Sequence, residues 1–203
     1  MSALDPFYLI VDDANFLERL VPLGVRLVQL RIKDRPEDDI RRQIVRAQTC
    51  CATYGAQLVV NDYWRIAIEI GCDFVHLGQE DMDTADFAAL RRAGIRFGLS
   101  THDEAELERA LDQGPTYVAL GPVYPTQLKT MKWGPQGLER VGKWKRLAGS
   151  VPLVGIGGLV PTRLPGLFAA GADSAAVVTD IKTAEDPEAQ CRDWISATRE
   201  FLK

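Results

Sequence analysis

The sequence predicts an α/β fold, a compact single-domain (β/α)8 TIM barrel over residues 1–203. Short apolar, β-branched runs of about five residues, the usual strand length, recur along the chain. Stretches with helical periodicity separate these runs, and such alternation is typical of a parallel sheet. The rhythm repeats eight times at about 25 residues per unit, which favours a closed barrel over the alternative, an open doubly wound sheet.

The predicted elements follow one another without an interdomain linker. In order, the strands are Phe7 to Val11, Arg26 to Leu30, Gln57 to Val60, Phe74 to Leu77, Ile95 to Leu99, Thr116 to Leu120, Pro152 to Ile156 and Ser174 to Val178. Several predicted helices begin with an N-cap residue, an early proline or an acidic residue. These helices are Asp38 to Tyr54, Thr84 to Ala93, Asp103 to Asp112, Pro135 to Leu147 and Pro187 to Leu202.

Composition excludes several classes of partner. The hydrophobic fraction of 46% and charged fraction of 26% are ordinary for a globular protein, and a net charge of −4 argues against nucleic acid or an anionic membrane as partner. The first residues lack the pattern of a signal peptide, and no apolar run approaches the roughly 20 residues of a membrane helix. The four cysteines match no zinc or disulfide framework, so we expect small buried or half-buried residues in a reducing cytoplasm.

Chemically capable residues concentrate at the predicted strand ends. In a barrel of this class, function lies at the rim, where the strands end and the loops to the helices begin. In strand order from the second, the rim segments are Gln29 to Lys33, Asn61 to Asp62, His76 to Asp81, Ser100 to His102, Gly121 to Lys129, Gly155 to Gly158 and Val178 to Asp180. The sequence therefore predicts a site at this rim.

Three basic residues of these segments suit a diphosphate. Arg31 and Lys33 are two positions apart and share one face of an extended segment. Arginine binds phosphate oxygens with a planar fork, whereas lysine supplies a compact charge. Lys129, in the long loop after strand six, could close from the opposite side. The alternative for each residue is a salt bridge to a nearby carboxylate or a solvated loop.

Two carboxylates could hold a metal ion beside that diphosphate. Asp62 and Asp81 follow adjacent strands at the same end of the barrel. Magnesium is usually bound by one or two carboxylates together with substrate phosphate and water, so the pair predicts a Mg²⁺ site. Asp62 could instead be the N-cap of the next helix, and Glu80 is a competing carboxylate beside Asp81.

The glycines after strand seven suggest a second anion site. Gly155-Ile156-Gly157-Gly158 would let main-chain N–H groups approach an anion, and barrels often bind phosphate through the loops after strands seven and eight. Gly158, Val178 and Thr179 fit such a site, although tight turns alone would also explain the glycines. Two phosphate sites at one rim, with a metal ion at the first, suggest a transfer reaction. A group would leave its diphosphate and move onto or beside a second phosphorylated molecule.

The two histidines carry less information. Neither His76 nor His102 has a plausible Cys or His partner for zinc, and Ser100-Thr101-His102 is too close in sequence to form a catalytic triad. His76 could orient a carboxylate, contact substrate or be a hydrogen-bonded core residue, and the sequence leaves these alternatives open.

The ordered motifs resemble those of the thiamine-phosphate synthase family. The segments that carry the resemblance run from about Phe7 to Trp194 and include Val28 to Lys33, Val60 to Asp62, His76 to Asp81, Gly98 to His102, Gly121 to Thr126 with Lys129, and Gly155 to Gly158. The resemblance implies a cytoplasmic transferase that uses Mg²⁺ to join hydroxymethylpyrimidine diphosphate to hydroxyethylthiazole phosphate. Pyrophosphate is released.

The resemblance also implies roles for individual residues. It assigns the pyrimidine and its diphosphate to Gln29, Arg31, Lys33, Asn61, Ser100 and Lys129, and Mg²⁺ to Asp62 and Asp81. It assigns the thiazole phosphate to Thr126, Gln127, Leu128, Gly158, Val178 and Thr179. Of these, Arg31, Lys33, Lys129 and Ser100 would be catalytic, by holding the substrates in line and neutralising the departing diphosphate.

Two positions depart from the family pattern. Leu128 stands where the family commonly has a hydroxyl residue, and Asp180 follows Thr179 where small residues are common. A carboxylate facing phosphate would repel it, so we expect Asp180 to point outward. The rival functions are a thiazole tautomerase on the same barrel, a non-catalytic phosphate-ligand binding protein and a generic sugar-phosphate enzyme. The partners expected are small molecules, and a homo-oligomer is left open.

Overall fold

Eight parallel strands close into a barrel in chain order in the computed structural model, which describes residues 4–126 and 134–202. The strands are β1 Phe7–Val11, β2 Leu27–Leu30, β3 Gln57–Asn61, β4 Phe74–Leu77, β5 Arg96–Thr101, β6 Tyr117–Leu120, β7 Leu153–Ile156 and β8 Ser174–Val177. The α-helices of these residues are α1 Ala14–Leu20, α2 Glu37–Tyr54, α3 Trp64–Ile70, α4 Gln79–Met82, α5 Phe87–Arg92, α6 Glu104–Asp112, α7 Gly137–Ala148, α8 Leu164–Ala169, α9 Thr179–Lys182 and α10 Pro187–Thr198.

The barrel closes through β1, which pairs with β2 on one side and β8 on the other. Leu9 is in register with Val28 in the first pair and with Val177 in the second. The prediction of a closed barrel is therefore confirmed, and the open doubly wound sheet is wrong. Because every strand runs in the same direction, all the carboxyl ends meet at one rim.

Helix boundaries differ from the prediction where a side chain caps the backbone. The helix predicted from Thr84 to Ala93 is shorter, because the Asp86 carboxylate accepts a 2.8 Å hydrogen bond from the Ala89 amide and starts α5 there. Helix α1 was not predicted. The Asp13 carboxylate starts it in the same way, with a 2.7 Å bond from the Phe16 amide. Seven residues are too few for helical periodicity to be distinctive.

Apolar side chains form two layers, one inside the barrel and one between the barrel and the helices. The interior contains Tyr8, Phe74 and Tyr117 among smaller aliphatic residues. The outer layer includes fully buried Trp144 and Trp194, and Trp194 stacks on Phe7 of β1 at 5.8 Å between ring centroids. The barrel interior is thus a packed core, and in barrels of this class function is expected at the rim.

The cysteines are free thiols, as the sequence predicts. All four cysteines are free thiols, and Cys51, Cys72 and Cys191 are buried while Cys50 is half-buried. Burial raises the pKa of the Cys51 thiol to about 12. In the part of the chain that the structure describes, no helix has the length and apolarity needed to cross a membrane.

Candidate active site

Polar side chains occupy the barrel interior just beneath the rim. Gln29, Asn61 and His76 are buried there, each at or near the carboxyl end of its strand, and Ser100 lies at the equivalent level of β5. Buried polar groups are costly unless they are hydrogen-bonded. Their presence in an otherwise apolar interior makes this level of the barrel the candidate site.

A chain of hydrogen bonds, here called the polar chain, joins five of the strands across the interior. The Gln29 amide nitrogen donates to the Tyr8 hydroxyl at 2.9 Å, and the Tyr8 and Tyr117 hydroxyls are 2.9 Å apart. The Tyr117 hydroxyl lies 2.7 Å from Nδ1 of His76, whose Nε2 is 2.8 Å from Oγ of Ser100. The chain therefore links Gln29 on β2 to Ser100 on β5.

His76 is the charge-sensitive member of that chain. Burial lowers its pKa to about 4, an effect opposed by the charge of Asp62 and reinforced by that of Arg31. The imidazole is accordingly neutral near pH 7. Of the alternatives left by the sequence, the structure supports the hydrogen-bonded core residue, in direct contact with Ser100.

Asn61 is the exception among the buried polar groups. Its Nδ2 is buried and has no hydrogen-bond partner among the residues that the structure describes. An unpaired buried donor costs about 1–3 kcal/mol, so such groups in native proteins need an explanation. A ligand acceptor at the rim would satisfy this donor.

Two carboxylates and a lysine meet beside Asn61. Lys33 forms an ion pair with Asp62, whose backbone amide bonds the His76 carbonyl at 2.9 Å. Burial, followed by the charge of Asp62 and a hydrogen bond with it, raises the pKa of Asp81. The two aspartates that the sequence placed on adjacent strands are therefore neighbours in space.

The geometry of Asp62 rules out the alternative role of a helix cap. Its φ is +63°, a left-handed conformation that is uncommon for a residue other than glycine. Tyr63, not Asp62, precedes the first residue of α3, and no side chain caps that helix. The left-handed turn suits a site that presents the carboxylate to the rim, since strained backbone concentrates at functional positions.

The donor set at Asp62 and Asp81 fits a hard divalent cation. Two adjacent carboxylates repel one another, and a cation between them would relieve the repulsion that raises the pKa of Asp81. Within residues 4–126 and 134–202, no group of three or more His, Cys, Asp or Glu residues gathers as a metal site. The pair would thus need further oxygen ligands from substrate or water.

The glycine turn after β7 packs tightly against the loop after β6. Gly158 has a φ of +62°, and a Cβ there would overlap the Pro125 carbonyl oxygen and approach Cβ of Tyr124 to 2.8 Å. The Tyr124 amide donates to the Gly157 carbonyl at 3.0 Å. Glycine is therefore required at Gly158 for both backbone conformation and space.

Arg163 ties these two loops together, a role that the sequence analysis missed. Its guanidinium donates to the Gly158 carbonyl and lies 4.5 Å from the centre of the Tyr124 ring. No motif marks this arginine, because its partners come from another loop and from main-chain atoms.

Val178 and Thr179 follow β8 at the same rim, and Thr179 begins α9. The next residue, Asp180, turns away from the rim. Its carboxylate accepts 2.7 Å hydrogen bonds from Nε2 of Gln190 and from Nε1 of Trp194, both on α10. The expectation that Asp180 points outward is confirmed, and its negative charge is directed into the helix layer.

Two of the remaining predicted residues lie at the rim, and three lie outside the described residues. Arg31 is exposed just beyond β2, where its amide donates to the Val11 carbonyl at 2.8 Å. Thr126 is half-buried in the loop after β6. Gln127, Leu128 and Lys129 lie outside the described residues.

Comparisons with known proteins converge on one family. The profile of the family described as thiamine monophosphate synthase matches residues 7–181. The chain is 63% identical over 195 residues to a thiamine-phosphate synthase of Rhizobium etli, covering 96% of each chain. It is 46% identical to one from Neisseria meningitidis, covering 90% of this chain and 89% of that one. A solved thiamine phosphate pyrophosphorylase of Pyrococcus furiosus superposes with a TM-score of 0.86 at 25% identity, covering 98% of both chains.

Proposed function

The chain belongs to the thiamine monophosphate synthase family and is an enzyme of the transferase class, and from this premise we propose how its rim performs the reaction. We propose that it condenses 4-amino-2-methyl-5-hydroxymethylpyrimidine diphosphate with 4-methyl-5-(2-hydroxyethyl)thiazole phosphate. The products are thiamine phosphate and pyrophosphate. The observation that carries the proposal is the meeting of Lys33, Asp62 and Asp81 beside the polar chain, at one end of a closed barrel.

The diphosphate half of the site lies at the ends of β2, β3 and β4. Arg31 and Lys33 supply positive charge there, and Lys129 is proposed to add a third cation from the loop after β6. Asp62 and Asp81 would hold Mg²⁺, which would help neutralise charge on the departing diphosphate. In the free protein the ion pair with Asp62 holds Lys33 at this position.

The pyrimidine half lies deeper, at the polar chain. Gln29 and Ser100 are proposed to bind the ring, because both are fixed by hydrogen bonds in the interior beneath the diphosphate groups. Asn61 is proposed to donate its unpartnered N–H to the same substrate. Fixed donors and acceptors cost no reorganisation when substrate binds, so they hold the reacting methylene in line.

The thiazole phosphate half is proposed to lie between the ends of β6, β7 and β8. The positive-φ turn at Gly158 follows β7 at the rim, and Val178 and Thr179 lie at the end of the neighbouring β8. Thr126, with Gln127 and Leu128, is proposed to close this half. The outward turn of Asp180 removes a negative charge that would oppose phosphate binding.

The chemistry requires positioning and charge neutralisation from the protein. When the C–O bond to diphosphate breaks, the pyrimidine methylene gains carbocation character, and the thiazole nitrogen attacks that carbon. No protein nucleophile is needed. Arg31, Lys33 and Lys129 stabilise the negative charge that develops on the leaving oxygen, an effect worth most in a site from which water is excluded.

A direct synthesis assay tests the proposal. Purified protein is mixed with both substrates and Mg²⁺, and thiamine phosphate and pyrophosphate are measured over many turnovers. A thiazole tautomerase would consume the thiazole precursor without forming thiamine phosphate, and a binding protein would form no product. Either result would refute the proposal. A cytoplasmic location remains part of the same proposal.

A further inference from the structure

We infer that Tyr8, Tyr117 and His76 are positioning residues that decide which atoms Gln29 and Ser100 offer to the pyrimidine ring. In this arrangement Gln29 presents a carbonyl acceptor and Ser100 a hydroxyl donor. The inference rests on the proposed function, since it concerns the pyrimidine substrate of the same site.

The direction of the polar chain follows from its first bond. The Gln29 amide nitrogen contacts the Tyr8 hydroxyl at 2.9 Å, and an amide nitrogen donates but does not accept. Tyr8 therefore accepts from Gln29, and we assign its single proton to the Tyr117 hydroxyl, 2.9 Å away, because a buried hydroxyl proton without an acceptor would be costly. One N–H of the Gln29 amide is engaged in this way, and the bond fixes the amide so that its carbonyl oxygen can be offered to a ligand.

The same direction continues to Ser100. Tyr117 accepts from Tyr8, so its own proton goes to Nδ1 of His76 at 2.7 Å. A neutral imidazole that accepts at Nδ1 carries its proton on Nε2, and Nε2 then donates to Oγ of Ser100 at 2.8 Å. Because Ser100 accepts from His76, its hydroxyl proton is available for a ligand.

Packing holds the chain in this arrangement. A Cβ at Gly98 would overlap the Tyr117 ring, so the ring can occupy this position only because residue 98 is glycine. The ring stacks on His76 at 5.6 Å with an interplanar angle of 13°, and Tyr8 packs edge-on against it at 5.9 Å. Tyr8 and Tyr117 are about 1% and 0% exposed, so water does not compete for their hydroxyl groups.

This pattern matches the hydrogen-bonding groups of a 4-aminopyrimidine. A 4-aminopyrimidine carries an amine donor next to a ring-nitrogen acceptor, which complements a carbonyl acceptor and a hydroxyl donor. A 4-oxo analogue carries the opposite pair, a carbonyl acceptor beside a ring N–H donor. A site built to pair specific hydrogen-bonding groups rejects an analogue that leaves them unpaired. The polar chain would therefore select the amino over the oxo form.

The tautomer of His76 is the first test, and it needs no substrate. The protein has two histidines. Comparison of ¹⁵N spectra of histidine-labelled wild type and the His102→Gln variant therefore assigns the signals of His76. We expect a proton on Nε2 and a pyridine-type Nδ1, with this preference lost in Tyr117→Phe. A proton on Nδ1 in the wild-type protein would mean that the hydrogen bonds of the polar chain run in the opposite direction, and it would overturn the inference.

Substrate discrimination is the second test. The ratio of kcat/KM for the amino and 4-oxo pyrimidine diphosphates is compared in wild type, Tyr117→Phe and Tyr8→Phe, two variants that break the chain at different hydroxyls. We expect the ratio to fall at least about tenfold in each, since Ser100 or Gln29 can then reorient. Thr198→Val is the control, because it removes a buried hydroxyl that bonds the Trp194 carbonyl of α10 instead of the chain, and its ratio should equal that of wild type.

The outcomes separate the inference from the function it rests on. If no thiamine phosphate forms, the proposed function fails, whatever the spectra show. If synthesis proceeds and both tyrosine variants keep the wild-type ratio, the tyrosines serve only to fill the interior and the inference fails. Use of two variants keeps the test decisive even if one of them does not fold.

Discussion

Asp81 is the residue at which charge, burial and position on the rim combine most clearly. Its carboxylate accepts a 3.0 Å hydrogen bond from the Gly78 amide and lies beside Asp62, and its pKa is raised by burial and by that neighbour. A carboxylate that is held in place while it repels another is poised to receive a cation. This arrangement supports the proposed metal site and makes Asp81 the first residue to test.

Replacing Asp81 should reduce the rate of the chemical step. In Asp81→Ala we expect kcat to fall about 100-fold, the scale observed when one preorganised charge partner is lost. Steady-state kinetics of thiamine phosphate formation measure the change. Glu80→Ala is the matched control, since Glu80 is exposed in the same short helix, and near-wild-type kcat is expected. A rate for Asp81→Ala equal to that of Glu80→Ala would remove Asp81 from the site.

Lys129 should behave in a similar way, although it was identified from the sequence alone. In Lys129→Ala we expect kcat to fall about 100-fold, because a cation that stabilises the departing diphosphate is lost. Lys143→Ala provides a comparison, since Lys143 pairs with Glu104 at 2.5 Å on the surface. Unchanged kcat in Lys129→Ala would limit the diphosphate cations to Arg31 and Lys33.

His76 should make the stability of the protein depend on pH. Its pKa is lowered to about 4 in the folded state from 6.5, so the unfolded chain takes up the proton first as the pH falls. The contribution of His76 to the free energy of unfolding is fully present above about pH 6.5. It is lost progressively between about pH 6.5 and pH 4. The loss attributable to His76 between about pH 7 and pH 5 is about 2 kcal/mol.

Urea denaturation at the two pH values measures this loss. The change in unfolding free energy between the two values should be smaller in His76→Gln than in wild type, since the variant lacks the titrating group. Comparing each protein with itself cancels any constant cost of the substitution. Equal pH dependence in both proteins would contradict the prediction.

At the scale of elements, the loops after β6 and β7 act as one unit. Gly158 sits against Tyr124 and Pro125, and Arg163 bonds to the Gly158 carbonyl while stacking on Tyr124. Because these contacts join the two loops, each depends on the other for its conformation. Displacing one loop should therefore disturb the proposed thiazole phosphate site without reaching β2, β3 and β4.

Gly158→Ala tests that dependence. We expect KM for the thiazole phosphate to rise about tenfold or more, corresponding to about 1.4 kcal/mol of lost binding, while KM for the pyrimidine diphosphate is unchanged. Gly114→Ala is the matched control, because Gly114 has nearly the same φ, +63° against +62°, but no atom within 4 Å of the added Cβ. Both variants carry the backbone cost, and only the first disturbs the loop. Equal KM values in both would place the thiazole phosphate elsewhere.

Prediction of elements from sequence succeeded for the strands and the longer helices and failed for short helices. The strands were found to within two residues, because a buried strand is a compact apolar run whatever its neighbours are. Helices α1 and α8 were missed, since six or seven residues give less than two full turns of periodicity. Their packing against the barrel stabilises them, and that contribution is not written in the local sequence.

At the scale of the whole molecule, folding and catalysis depend on different parts of the barrel. The fold is held by the closed ring of strands and by the buried layers on both sides of it. The proposed metal ligands, Asp62 and Asp81, stand at the rim. Removing the metal should therefore stop turnover and leave the fold in place.

Chelation checks this separation. In excess chelator we expect turnover to be abolished and then restored by added Mg²⁺, while the far-ultraviolet circular dichroism spectrum is unchanged. Any change in Tm should match the small stabilisation expected from ligand binding to the folded state. Activity that persists in excess chelator would contradict the metal assignment, and loss of the spectrum would mean that the metal supports the fold.

The sequence by itself determined the barrel and the set of residues at its rim, because strand rhythm and strand ends are local properties of the chain. Only the tertiary structure decided how these residues connect. Tyr8 and Tyr117 are 109 positions apart and meet across the barrel, Asp62 meets Asp81 through a left-handed turn, and Asp180 is drawn outward by Trp194. These contacts depend on closure of the sheet, which brings side chains that are far apart in the sequence together inside the barrel. A local sequence pattern carries no information on which distant residues will meet.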